Sequence, residues 1–181
     1  MTIQTKDNKK VFLKRLQPCD FDKLTEFLQH LQPETTRRFG PHGFDKQTIT
    51  ELFENDGAHI GYIALDAETL EVIAYSIIKI GFLEHDASRL CTYGLTLDAK
   101  TDCTFAPSVA DKWQSLGVGN SLFQFALYDL KAHSIKKVIL WGGVQCCNTR
   151  AVNYYLKNGF KIMGQFQYNG ENFDMVLDIE G

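Results

Sequence analysis

Apolar residues recur along this chain with two rhythms, and the switches between them mark out its elements. Val11 and Leu13 alternate with Phe12 and Lys14, the period of a half-buried strand over residues 11–16. Pro18 and Cys19 end that run, and Asp20 is placed to cap a helix reaching about residue 31. Phe21, Leu24, Phe27, Leu28 and Leu31 fall three and four residues apart, which gives this helix one apolar face for the core. Residues 32–45 are broken by Pro33, Gly40, Pro41 and Gly43 and carry Arg37, Arg38, Phe39, His42 and Phe44. That segment reads either as the lining of a pocket or as a surface loop tucked down by Phe39 and Phe44. Residues 48–53 are expected to form a short second helix.

Strand signals follow at 59–65 and 72–82, on either side of the turn-prone stretch 66–70, which predicts a hairpin. Residues 84–88 read as a charged loop, 90–97 as a further short strand or an insertion, and 98–102 as a polar turn. A β-leaning run at 104–110 leads into a glycine-bearing stretch. After it Leu122, Phe123, Ala126, Leu127 and Leu130 make a helical stripe that ends near His133 and packs on the sheet. Residues 138–140 continue into 141–144 as a buried strand. Residues 149–157 are helical and stop at Asn158 and Gly159. The runs 160–166 and 173–179 flank Asn169-Gly170 and read as a closing hairpin. The order β, α, several strands, α, β, α, β, β predicts an α+β arrangement on one mixed sheet.

A chain of 181 residues is expected to form one domain, 1–181, that buries about 70% of its unfolded surface without disulfides or metal. The net charge of −3 offers no basic surface for a nucleic acid, so none is expected as a partner. The five cysteines (Cys19, Cys91, Cys103, Cys146, Cys147) are odd in number and form no C-x-x-C pair. Neither a disulfide framework nor a metal site is expected, and reduced thiols in a cytoplasm are the simple reading. Residues 1–10 lack the apolar core of a signal peptide, and no apolar run approaches the length of a membrane span, so no membrane partner is expected.

The candidate chemistry lies at 113–122, W-Q-S-L-G-V-G-N-S-L. Gly117 and Gly119 allow a tight turn and close approach of a ligand. The helix that follows opens with unbonded N–H groups and the positive end of its dipole, which suit a phosphate. The same glycines also suit a plain turn. A Walker loop would need Gly-Lys-Ser/Thr where Asn120 and Ser121 follow Gly119. A dinucleotide fingerprint needs a third glycine where Leu122 stands.

The spacing Gln114, Gly117, Gly119 (Q-x-x-G-x-G) resembles the acyl-CoA signature of the GNAT acetyltransferase superfamily. About 30 residues on, N-T-R-A-V-N-Y-Y-L-K-N-G-F matches that family's N-x-x-A-x-x-x-Y-x-x-x-G-F at Asn148, Ala151, Tyr155, Gly159 and Phe160. The resemblance implies a GNAT-like acyl-CoA N-acyltransferase fold of the α+β class: one mixed, mostly antiparallel sheet flanked by helices, with a splayed central strand. It implies acetyl-CoA as cosubstrate and a primary amine as acceptor. Gln114, Ser115, Leu116, Gly117, Val118, Gly119 and Asn120 would hold the pyrophosphate through backbone N–H groups. Val109 would pair its backbone with the pantetheine arm, and Asn148 would touch that arm or cap its helix. Tyr155 would protonate the leaving CoA thiolate as general acid, or else serve as a core aromatic. Its neighbour Tyr154 sits on a different helix face, so the two cannot both point at the sulfur.

The chain departs from the family pattern at three places. Two usual positions of a glutamate base fall on Cys103 and Gly143. Pro107, two residues before Val109, has no N–H to polarise a thioester carbonyl. Glu84, His85 and Asp86 are substitutes for the base by residue type alone. Two readings follow: an N-acetyltransferase, or a non-catalytic acyl-CoA-binding sensor or regulatory module. The acceptor stays open among polyamines, amino acids, aminoglycosides and protein amines, and so does the choice between monomer and homodimer.

Overall fold

In the computed structural model, described over residues 1–54 and 57–179, the chain divides into two compact units. The first comprises Met1–Ile78 and Ala106–Tyr128, the second Lys79–Phe105 and the described residues from Asp129 onward.

The first unit begins with two strands, β1 (Thr2–Gln4) and β2 (Lys10–Arg15). The polar β1 was not expected. It exists by pairing antiparallel with β2, in the register Thr2↔Phe12 and Ile3↔Val11. Val11 and Leu13 are buried, as their alternation requires. Helix α1 (Phe21–Gln29) buries Phe21, Leu24, Phe27 and Leu28, the expected face. Asp20 stands at its N-cap position but does not cap it. Its carboxylate accepts instead from the Gln17 N–H at 3.0 Å and from Lys14 Nζ at 2.9 Å.

The segment expected to be irregular contains a helix, α2 (Pro33–Arg38). Pro33 opens it, a position where the missing N–H loses nothing, and Glu34 pairs with Arg37 and Arg38 at 2.8 and 2.6 Å. Phe39 is buried, with its ring 5.9 Å from that of Tyr75 and 6.2 Å from that of Phe44. The segment is therefore tucked down by its aromatics. Helix α3 (Lys46–Glu54) is capped by Asp45, which accepts from Thr48 N–H at 2.9 Å.

Strands β3 (His59–Asp66) and β4 (Val72–Ile80) form the expected hairpin, with β3 also antiparallel to β2. Strand β5 (Asp102–Val109) passes from the second unit into the first. In the first unit Ala110 N–H bonds Ile73 O at 2.9 Å, so this end of β5 lies antiparallel beside β4. A 3-10 turn (Asp111–Trp113) then leads to helix α5 (Val118–Ala132). Its stripe Val118, Leu122, Phe123 and Ala126 is buried, and Phe125 meets the Tyr62 ring edge-on at 6.0 Å.

In the second unit residues 84–92 are not loop and strand but helix α4 (Glu84–Thr92). Leu90 packs with Ile139 and Val176, and Phe82, Tyr93, Leu95, Leu97 and Met163 surround them. Strand β6 (Lys137–Leu140) runs parallel to β5 over Asp102↔Lys137 to Phe105↔Leu140. The buried strand expected to continue to residue 144 stops at left-handed Gly142 and Gly143, and resumes as β7 (Val144–Gln145). Helix α6 (Thr149–Lys157) precedes the closing hairpin of β8 (Lys161–Gln167) and β9 (Glu171–Asp178). Its connection, residues 168–170, is left-handed at Asn169 and Gly170, two residue types that tolerate that conformation. Strand β9 pairs antiparallel with β6, β7 and β8.

Candidate active site

The glycine stretch stands in the first unit, where β5 turns into α5. The β5–β6 ladder ends at Phe105, whose carbonyl accepts from the Trp141 N–H at 2.9 Å, while β5 runs on to Val109. Main-chain groups two residues apart in a strand face the same edge. Pro107 and Val109 therefore share the edge of Phe105, and Ala110 turns to β4. Along that edge Pro107 has no N–H to offer, and the Val109 oxygen accepts from Gln114 Nε2 at 3.0 Å. The Gln114 main-chain N–H bonds Asp111 O at 3.2 Å, so in this structure Gln114 closes the 3-10 turn with both its amides.

Beyond the turn the backbone is left-handed at Ser115 (φ +63°) and Gly117 (φ +96°). The two carbonyls between them are tied back to the β1–β2 connection. Lys6 Nζ donates to Ser115 O at 3.1 Å, and Lys6 N–H to Leu116 O at 3.1 Å. Nothing lies within 4 Å of where a Gly117 Cβ would stand, so the glycine serves backbone conformation beside open space. Val118, Gly119 and Asn120 form the first helical turn, and Ser121 N–H bonds back to Gly117 O at 3.0 Å. The stretch thus presents a helix start next to open space, with its carbonyls held by Lys6. Those features fit a diphosphate. Lys6 was not singled out from the sequence, because 109 residues separate it from Ser115.

The second unit holds the other motif. Asn148 caps α6, its Oδ1 accepting from Ala151 N–H at 3.3 Å. Tyr155 is buried, with ring centroids of Tyr154 and Phe160 at 5.1 and 5.4 Å. Tyr154 and Tyr155 leave the helix in different directions, yet their rings meet edge to face. Burial pushes the Tyr155 phenol above its usual range, so the group holds its proton at neutral pH.

The positions that lack a glutamate are filled for structural reasons. Gly143 has φ +73°, and a Cβ there would stand 2.7 Å from Phe173 O and from the Phe166 ring. Cys103 is fully buried, and burial, aided by the charge of Asp102, pushes its thiol up and away from reactivity. Glu84, His85 and Asp86 lie in the first turn of α4. Asp86 is held by Arg89 at 2.8 Å. His85 points to solvent, 3.6 Å from Asp86.

These elements have counterparts among known proteins. The sequence profile of the Acetyltransferase (GNAT) family matches residues 20–160. No curated protein sequence matches significantly. The crystal structure of the GNAT domain of S. lividans PAT is 15% identical with a TM-score of 0.74, over 99% of this chain and 96% of that one. A GNAT-family acetyltransferase from Streptococcus pneumoniae is 18% identical with a TM-score of 0.69, over 94% and 99%. The PaiA N-acetyltransferase from Thermoplasma acidophilum, solved in complex with coenzyme A, is 16% identical with a TM-score of 0.66, over 93% and 99%. At these identities the structures establish the fold, one mixed and mostly antiparallel sheet with helices, and the profile establishes the family. The chain belongs to the GNAT acetyltransferase family.

Proposed function

We propose that this chain moves the acetyl group of acetyl-CoA to a primary amine, in the cytoplasm, with residues 1–181 acting as one GNAT-like domain. The observation that carries the reading is the β5–α5 junction, where Gly117 is left-handed beside open space and Lys6 holds the carbonyls of Ser115 and Leu116. Gln114 to Asn120 form the pyrophosphate cradle, Val109 offers its N–H to the pantetheine arm, and the Asn148 side-chain amide meets the same arm. The acceptor nitrogen, once neutral, forms the C–N bond as the thioester C–S bond breaks. The sulfur leaves with the bonding pair and takes the Tyr155 phenol proton, the nitrogen loses its extra proton to water, and Tyr155 is reprotonated from solvent. Tyr155 enters this scheme by its place in the second motif. The protein works without metal or nucleic acid, off the membrane, as a monomer or homodimer. Its net charge of −3 steers cationic acceptors.

Thermal unfolding with acetyl-CoA, with NADH and ATP as controls, tests the cradle. A ligand at 100 times its dissociation constant adds about 2.7 kcal/mol, a rise of roughly 5 to 11 °C for a chain of this size. No shift at millimolar acetyl-CoA would remove this reading. Release of free thiol from acetyl-CoA against an amine panel then separates an enzyme from a second reading, an acyl-CoA-binding sensor. Cys103, Gly143 and Pro107, which replace a base and a donor, favour that second reading.

A further inference from the structure

Among the described residues two buried polar side-chain atoms lack any hydrogen-bond partner, Ser108 Oγ and Trp113 Nε1. Burying a hydroxyl without a partner is unfavourable, so its persistence calls for a reason. Ser108 sits on the part of β5 beyond the β6 ladder, between Pro107 and Val109, and is 5% exposed. The register set by Ala110 N–H→Ile73 O places Tyr75 opposite Ser108, with both side chains on one face. No hydrogen bond joins the two, and the Tyr75 phenol is paired with His42 Nε2 at 3.1 Å instead. His42 Nδ1 faces the Gly43 carbonyl at 2.7 Å, which can only accept, so Nδ1 carries the proton and Nε2 accepts from Tyr75.

We propose that the Ser108 hydroxyl donates a hydrogen bond to the thioester carbonyl of acetyl-CoA and supplies the donor that Pro107 cannot. The proposal rests on the acetyl-transfer reading above. Rotation of Ser108 between staggered χ1 wells swings Oγ toward the edge that carries Pro107 and Val109, and it leaves no hydrogen bond behind. A donor waiting there meets the charge that grows on the carbonyl oxygen as the amine adds.

The test is Ser108→Ala, read by acetyl-CoA and CoA binding, thermal unfolding, turnover, and the carbonyl infrared band of bound acetyl-CoA. Expected are turnover lower by about 10²-fold, a carbonyl band shifted toward its free position, unchanged CoA affinity, and a melting temperature equal or higher. Unchanged turnover together with an unchanged carbonyl band would overturn the proposal. So would a lowered melting temperature with turnover intact, since the hydroxyl would then have a partner within the protein. If the unaltered protein binds no acetyl-CoA, the acetyl-transfer reading itself fails, a result visible before any variant is made.

Discussion

The Gln114 side-chain amide donates to the Val109 backbone oxygen at 3.0 Å, which ties the end of β5 to the loop that follows it. The same amide lies 3.4 Å from Asp111 Oδ1. Gln114→Ala removes a neutral hydrogen bond, and the expected loss is about 1 kcal/mol, or roughly 2–4 °C in melting temperature. Gln114→Glu should cost more, because a carboxylate would face the Val109 oxygen and Asp111 with no proton to offer. Acetyl-CoA should bind both variants more weakly, the Glu variant most. Thermal unfolding and acetyl-CoA titration of the pair check this. A Glu variant as stable as the unaltered protein would show that the amide holds nothing.

What the sequence revealed depended on how local each signal was. The α1 stripe and the closing hairpin are written in adjacent residues, and both stand where the spacing puts them. The two motifs likewise sit on the elements expected: Gly117 ahead of α5 and Asn148 at the cap of α6. Helix α4 was hidden because the apolar residues of E-H-D-A-S-R-L-C-T are few and small apart from Leu90, and its anchor is an ion pair between Arg89 and Asp174, 85 residues apart. Strand β1 is a product of pairing with β2. Ser108 looked like any strand serine. Only the packing around it shows that its hydroxyl is enclosed without a partner.

The α4 anchor yields a second prediction. Arg89 donates through Nε to Asp174 at 2.7 Å and through one Nη to Asp86 at 2.8 Å, and its guanidinium lies 3.7 Å from the Phe166 ring centroid. The side chains of Asp174 and Asp86 are 2% and 7% exposed. Asp174 first, then Asp86, raises the Arg89 pKa, so the cation persists throughout the accessible range. Arg89→Met keeps the aliphatic stem but strands two buried carboxylates, for an expected loss of about 3 kcal/mol. Adding Asp174→Leu should restore part of it. Denaturant unfolding decides the matter, and a single variant with an unchanged midpoint would refute the role of the pair.

His42 supplies a pH dependence. Burial lowers its pKa from the ordinary 6.5, the charge of His59 acts in the same direction, and the Gly43 carbonyl and Asp45 oppose it. The unfolded chain therefore binds this proton at a higher pH than the folded one. Stability from this group is complete above about pH 6.5, and falls as the pH drops through that value toward the depressed folded one. His42→Gln should lose less stability between about pH 8 and about pH 5 than the unaltered protein does. Urea midpoints at the two pH values measure the difference. Equal losses in the two proteins would exclude His42 as the titrating group.

Tyr155 lends itself to a single-atom change. Its ring packs against Tyr154 and Phe160, with centroids 5.1 and 5.4 Å away, and phenylalanine preserves both contacts. Tyr155→Phe should therefore keep its melting temperature and its CoA affinity while turnover drops by about 10²-fold, the usual worth of a placed general acid. Burial raises the phenol above its usual value, so in the unaltered protein loss of activity through Tyr155 ionisation should begin only above the ordinary phenol range. That alkaline limb should vanish in the variant. Because the sulfur needs its proton only as the C–S bond breaks, an acyl donor with a more acidic leaving thiol should narrow the gap between the two proteins. Equal turnover with acetyl-CoA would remove Tyr155 from the chemistry and leave it as a packing residue of α6.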